Sequence, residues 1–150
     1  MKNLVKTLLS SFLLAAMSFE VRSQTPQISW GYNYGSTSDD RGEAITLDPS
    51  GNVITVGRFF GSVDFDPEAG SSLLSSGGGP WAGVVQKLDG SGSLLWARVF
   101  SAASSSSCTP TAVVTDESGN VYIAGYFSGT VDFDPQGGTN IFFLDQDNSY

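Results

Sequence analysis

The stretch AITLDPSGNVITVGRFFGSVDFDP, residues 44–67, returns as AVVTDESGNVYIAGYFSGTVDFDP at residues 112–135. The two align without a gap at a spacing of 68, and 14 of the 24 positions are identical. Shared composition does not produce such a match, so the chain contains a tandem repeat, which has to be settled before a fold is assigned. A second marker keeps nearly the same register. ISWGYNY (28–34) places Trp30 ahead of the first copy, and LLWARVF (94–100) places Trp96 ahead of the second, 66 residues later. The two extra residues fall in the Ser-rich SAASSSSC (101–108), and composition predicts a surface loop over 101–111.

Within each copy the same positions recur: Asp48, Gly51, Asn52, Gly57, Phe65 and Pro67 return as Asp116, Gly119, Asn120, Gly125, Phe133 and Pro135. Three turns share one formula, Asp48–Asn52, Asp89–Ser93 and Asp116–Asn120. In each, the aspartate can accept backbone N–H bonds, and Gly51, Gly92 or Gly119 can take the positive φ that closes a hairpin. Runs rich in β-branched and aromatic residues flank every turn, which is a hairpin signal. No helical period is visible after residue 23. One full unit over 42–100 then holds four strands, near 44–48, 52–60, 83–88 and 94–100. The predicted fold is all-β, made of four-stranded antiparallel blades of a β-propeller, with about two blades present. A β-sandwich would also explain alternating strands, but it has no need of a 24-residue near-copy.

The combined pattern of GNV, VDFDP and a KLD…LLWARVF block resembles the SBBP family of bacterial β-propeller repeats. The resemblance covers most of the chain after residue 23. It implies a propeller fold and an exported protein, and it implies no particular enzymatic activity. One departure stands out. A closed propeller has four to eight blades, whereas the second copy, 112–150, stops in NIFFLDQDNSY, where a third strand is expected. Lys87 has no counterpart there. The expectation is a fragment of a longer protein, or a chain whose partners are further blades or copies of itself.

The N-terminus reads as a signal peptide over 1–23. Lys2 and Lys6 precede the apolar LLSSFLLAAM (8–17), and Val21 and Ser23 sit three and one before a cut that leaves Gln24 first. The apolar run is shorter than the roughly 20 residues of a membrane span. Residues 24–41 read as an N-terminal strand belonging to a preceding or ring-closing blade. After residue 23 there are four basic and fourteen acidic residues, a net charge of −10. That balance makes nucleic acids and anionic lipid surfaces poor partners. Cys108 is the single cysteine and histidine is absent, so a Cys–His or Ser–His nucleophile pair cannot be built, nor can a zinc site of the usual Cys/His type.

The candidate ligand-binding residues are the duplicated aspartates. Asp64 and Asp66, like Asp132 and Asp134, would share one face of a strand, with Val63, Phe65, Val131 and Phe133 on the other. An edge strand that is apolar inside and acidic outside, stopped by proline, explains the motif without a ligand. Calcium, a hard cation that takes oxygen ligands, is the alternative. A glycoside-hydrolase carboxylate pair is a weaker one, because catalysis needs one active centre and not one per copy. Trp30 and Trp96 read as packing residues between sheets. Trp81, in the Gly-rich GGGPWAG and without a copy, is the better candidate for a recognition residue, with burial against the blade as the alternative. An extracellular protein or glycan is the candidate ligand of the chain. The expected role is a non-catalytic scaffold or binding module outside the cell. A calcium-stabilised adhesion segment and a piece of a propeller hydrolase are the rival classes.

Overall fold

The computed structural model describes residues 25–134, 138 and 141–143. Residues 1–23, which read as a signal peptide, Pro135 and the DQDNSY stretch at 145–150 lie outside them. Ten strands follow in chain order: β1 (Arg41–Leu47), β2 (Val53–Phe59), β3 (Ser62–Asp64), β4 (Leu73–Ser75), β5 (Ala82–Leu88), β6 (Leu94–Ala102), β7 (Ser107–Thr115), β8 (Val121–Ser128), β9 (Thr130–Asp132) and β10 (Ile141–Phe143). No helix occurs among the described residues, every strand pair is antiparallel, and no sheet closes into a barrel.

The first copy forms an antiparallel meander, β1-β2-β5-β6, and β9 and β10 continue that sheet beyond β6. Tight turns generate it. Asp48 Oδ1 accepts the amides of Ser50 and Asn52, both at 2.9 Å, and Gly51 closes the turn at φ 80°. The other two Asp-x-Ser-Gly turns repeat this arrangement, with Gly92 at φ 95° and Gly119 at φ 81°. Strand alternation then sends successive side chains to opposite faces of the sheet.

One face carries Phe59, Ala82, Val84 and Ala97, and the β3–β4 hairpin folds over it with Val63 and Phe65. Phe65 is fully buried and meets Phe59 edge to face, 5.1 Å between ring centroids. Tyr34 closes the same cluster from the N-terminal side. Gln86, 1 % exposed, lies beneath the hairpin and donates from Nε2 to the Phe65 carbonyl at 2.6 Å. The opposite face carries Ile54, Val56 and Val85, and the second copy's β7–β8 hairpin covers it with Val113, Val121 and Ile123. Thr115 Oγ1 donates to the carbonyl of Leu47, its own counterpart 68 residues earlier, at 2.9 Å.

The two copies agree in fine detail. Both first strands bulge at the same place, between Gly42 and Ala44 and between Pro110 and Ala112. Each bulge presses a carbonyl onto the facing strand. A Cβ at Gly57 would lie 2.1 Å from the Arg41 oxygen, and one at Gly125 would lie 2.3 Å from the Thr109 oxygen. Only glycine fits there, which is why both copies keep it. The Phe59–Phe65 contact returns as Phe127–Phe133, again at 5.1 Å and edge to face.

Four sequence expectations are corrected. Residues 25–40 hold no strand, so the N-terminal strand over 24–41 is replaced by an irregular segment whose Tyr34 and Trp30 pack on the first copy. The loop over 101–111 shrinks to 103–106, because Ser101 and Ala102 pair with β9, and Ser107 onward pairs with β8. Serine content misleads there because ladder pairing outweighs local composition. Asp64 and Asp66 do not share a strand face, since β3 ends at Asp64. Ile141–Phe143 is not the start of a third blade strand. It pairs with β9 as Leu73–Ser75 pairs with β3, so it is the return arm of the VDF hairpin.

Phe65→Ala should cost about 3–5 kcal/mol in urea unfolding, because it opens a cavity where no solvent reaches. Phe133→Ala, at a partly exposed site, should cost clearly less. Equal losses would contradict this account of the two clusters.

Candidate functional site

Both VDFD motifs turn their carboxylates onto their own loop. Asp64 Oδ1 accepts the amides of Ser72 at 2.7 Å and Asp66 at 3.0 Å, tying the two arms of the β3–β4 hairpin together. These bonds hold its carboxyl below the ordinary carboxylate range, the Ser72 amide contributing most. Asp66 Oδ1 accepts the Glu68 amide at 3.0 Å, and Asp66 Oδ2 lies so close over Gly70 that no Cβ would fit there. The second copy repeats both features: Asp132 Oδ1 accepts the Asp134 amide at 3.0 Å, and Asp134 leans over Gly138. Such Asx-type turns use a carboxylate in place of a backbone carbonyl. Among the described residues no three His, Cys, Asp or Glu side chains gather as a metal site.

The turn aspartates differ between copies in one respect. Asp48 Oδ2 accepts from Asn52 Nδ2 at 2.8 Å and pairs with Lys87 Nζ at 2.7 Å, with its side chain only 4 % exposed. The Lys87 contact, then Asn52, holds the Asp48 carboxyl far below its usual value. Asp116 Oδ2 accepts from Asn120 Nδ2 at 2.7 Å and from the Tyr122 hydroxyl at 3.1 Å. A phenol thus stands where the first copy has a cation, and Tyr122 replaces Ile54 to supply it.

The tryptophans are engaged too. Trp30 Nε1 donates to the Gly90 carbonyl at 3.1 Å, and its ring lies on Gly92 and stacks on Tyr32. Trp96 packs at the seam between the two copies, beside a cavity of about 440 Å³ that Val85, Val121 and Ile123 also line. Trp81, the recognition candidate, has the Arg58 guanidinium 4.8 Å above its ring, and its carbonyl accepts the Cys108 amide. One of its faces is therefore occupied by a cation of the same chain.

The sequence reading missed an apolar groove of about 370 Å³ beside β8, lined by Phe100, Cys108, Pro110, Ile123, Phe127 and Phe133. Burial pushes the Cys108 thiol up to about 11, which leaves it a poor nucleophile near neutrality. In the first copy β5 occupies the corresponding place, pairing with β2 along its length. Among the described residues no strand pairs with the outer edge of β8. The repeat spacing of 68 contained the signal, since it maps Phe59 onto Phe127 and Phe65 onto Phe133. Comparison of the chain with protein-family models, with curated proteins and with solved structures finds no match.

Two outcomes follow for acid and for calcium. A carboxylate whose folded value lies below the unfolded one, about 3.9 for aspartate, stabilises the fold above that value, and the contribution is lost as pH falls through the folded one. Stability should therefore decline in acid from about pH 5 downward. Asp48→Asn should flatten that decline more than Asp116→Asn, read as urea midpoints across pH. Millimolar calcium should leave the melting temperature of the wild type unchanged. A rise that vanishes in an Asp64→Ala, Asp132→Ala double variant would make the loops cation sites.

Proposed function

We propose that this chain is an exported repeat scaffold of the β-propeller type, resembling the SBBP repeats, in which sheets stack face to face to build a non-catalytic binding platform. The observation that carries this reading is the packing of one copy on the other. Val113 of the second copy enters the cluster of Ile54, Val56 and Val85 on the first. Thr115 bonds to Leu47, the same position one repeat earlier. Stacked neighbouring units, each covering the next one's apolar face, are the organising principle of repeat proteins.

The engagement of the duplicated residues supports the scaffold role over a catalytic one. Asp64, Asp66, Asp132 and Asp134 hold loop amides or glycines in the same way in both copies. A motif written once per unit and spent on loop geometry fits architecture. The net charge of −10 after residue 23 suits an exported surface that stays soluble and avoids anionic polymers.

Val113→Asp places an unpaired charge at a site only 7 % exposed, between the two copies. It should destabilise the protein by on the order of 3 kcal/mol or more. Val114→Asp, one residue away on the opposite face and 59 % exposed, should stay within about 0.5 kcal/mol of wild type. Thermal melts followed by circular dichroism would show it. Equal stability of the two variants would mean that the copies do not rely on each other, and the stacked-repeat reading would fall.

A further inference from the structure

The packing of copy on copy uses two different faces, and the chain displays a second, exposed part of each. These are the β1 edge of the first copy, beside the region its hairpin covers, and the outer face of β7–β8. In the existing contact the first copy supplies Ala44, Ile54 and Val56 from β1 and β2 with Val85, Trp96 and Phe100 from β5 and β6, and the second supplies Val113, Val121 and Ile123. Shifting by 68 residues gives the other pair. The counterparts of Ala44, Ile54 and Val56 are Ala112, Tyr122 and Ala124. All three are exposed, beside Val114 at 59 % and Tyr126 at 61 % on the same face. The counterparts of Val113 and Thr115 are Ile45 and Leu47, exposed at 68 % and 60 %, and those of Val121 and Ile123 are the half-buried Val53 and Thr55. Apolar side chains this exposed, grouped on one sheet face, mark a docking surface more often than chance scatter.

We infer that a second copy of this chain docks head to tail, its Ile45/Leu47 face covering the Val114/Tyr122/Tyr126 face of the first. This rests on the stacked-repeat reading above and extends it from one chain to two. The occupant follows from the geometry already present, since the intrachain contact joins these same two kinds of face at equivalent positions. The contact is heterologous, so a docked copy still presents a free face of each kind, and assembly continues until a ring closes or a filament grows. One difference sets its strength. Thr115 donates a hydrogen bond to the Leu47 carbonyl within the chain, whereas the leucine at position 47 has no donor with which to repeat that bond on the Thr115 carbonyl of a neighbouring copy. Like-charged copies repel, so salt should strengthen the association by screening.

The test is light scattering and sedimentation of the purified chain from micromolar to millimolar concentration, at low and at high salt. The mean mass should rise above the monomer with concentration, and rise further at high salt. Ile45→Asp blocks one face and Val114→Asp blocks the other, so each alone should remain monomeric. Their equimolar mixture retains one intact pair of faces and should double in mass without growing beyond a dimer. Leu47→Asp and Tyr126→Asp repeat the experiment on the same two faces, and a wild-type circular dichroism spectrum verifies that each variant folds. A wild type that is monomeric throughout, a single variant that associates as the wild type does, or a mixture that stays monomeric would each overturn the inference. The Val113→Asp and Val114→Asp melts are run at concentrations where the wild type is monomeric, so they read packing inside one chain, and failure here is distinct from failure of the stacked-repeat reading.

Discussion

The four-stranded meander has two apolar faces, and everything else in the molecule follows from the need to cover both. A sheet stabilises a domain only when its apolar faces are removed from water by another layer. The first copy covers one face with its own VDF hairpin, through Phe65 and Val63. It cannot cover the other. That face is closed by Val113, Val121 and Ile123 of the second copy. The second copy therefore completes the first, because it covers the one face the first cannot cover itself.

The duplicated acidic residues serve the same end at a smaller scale. A chain whose strands are only three to nine residues long reverses often and has many loop amides to satisfy, and unsatisfied amides are costly. Asp48, Asp89 and Asp116 each accept two such amides in a five-residue turn. Asp64 accepts two more and pins the ends of the β3–β4 hairpin. The acidity of the protein is thus partly a consequence of its turns. The two aspartates around each phenylalanine hold the loop that delivers the phenylalanine to the core, and the ring does the burying.

Much of this was legible in the chain itself. The hairpin turns, the strands they join and the four-strand meander followed from Asp-x-Ser-Gly spacing and β-branched runs, because these are local effects of one residue on its neighbours. The burial of Val63 followed from alternation, whereas Phe65 lies past the end of β3 and is buried by the loop that carries it. What composition misplaced were segments whose state depends on a distant partner. Ser101 and Ala102 are strand because β9 lies beside them, and residues 28–34 are irregular although they resemble 94–100. Trp81 read as a candidate recognition residue, and Arg58, 23 positions away in sequence, lies over its ring.

The sequence by itself determined that this is an all-β protein written twice, with glycines and aspartates at the positions where strands reverse or bulge. Those features depend on backbone torsion and on contacts a few residues apart, which one copy of the pattern already specifies. Only the tertiary structure decided which face of each sheet meets which. Val113 and Ile45 are equivalent in sequence, yet one is buried at 7 % exposure and the other stands at 68 %. The physical reason is that burial depends on the neighbour a residue acquires. In a repeat the same residue is core in one copy and open surface in the next.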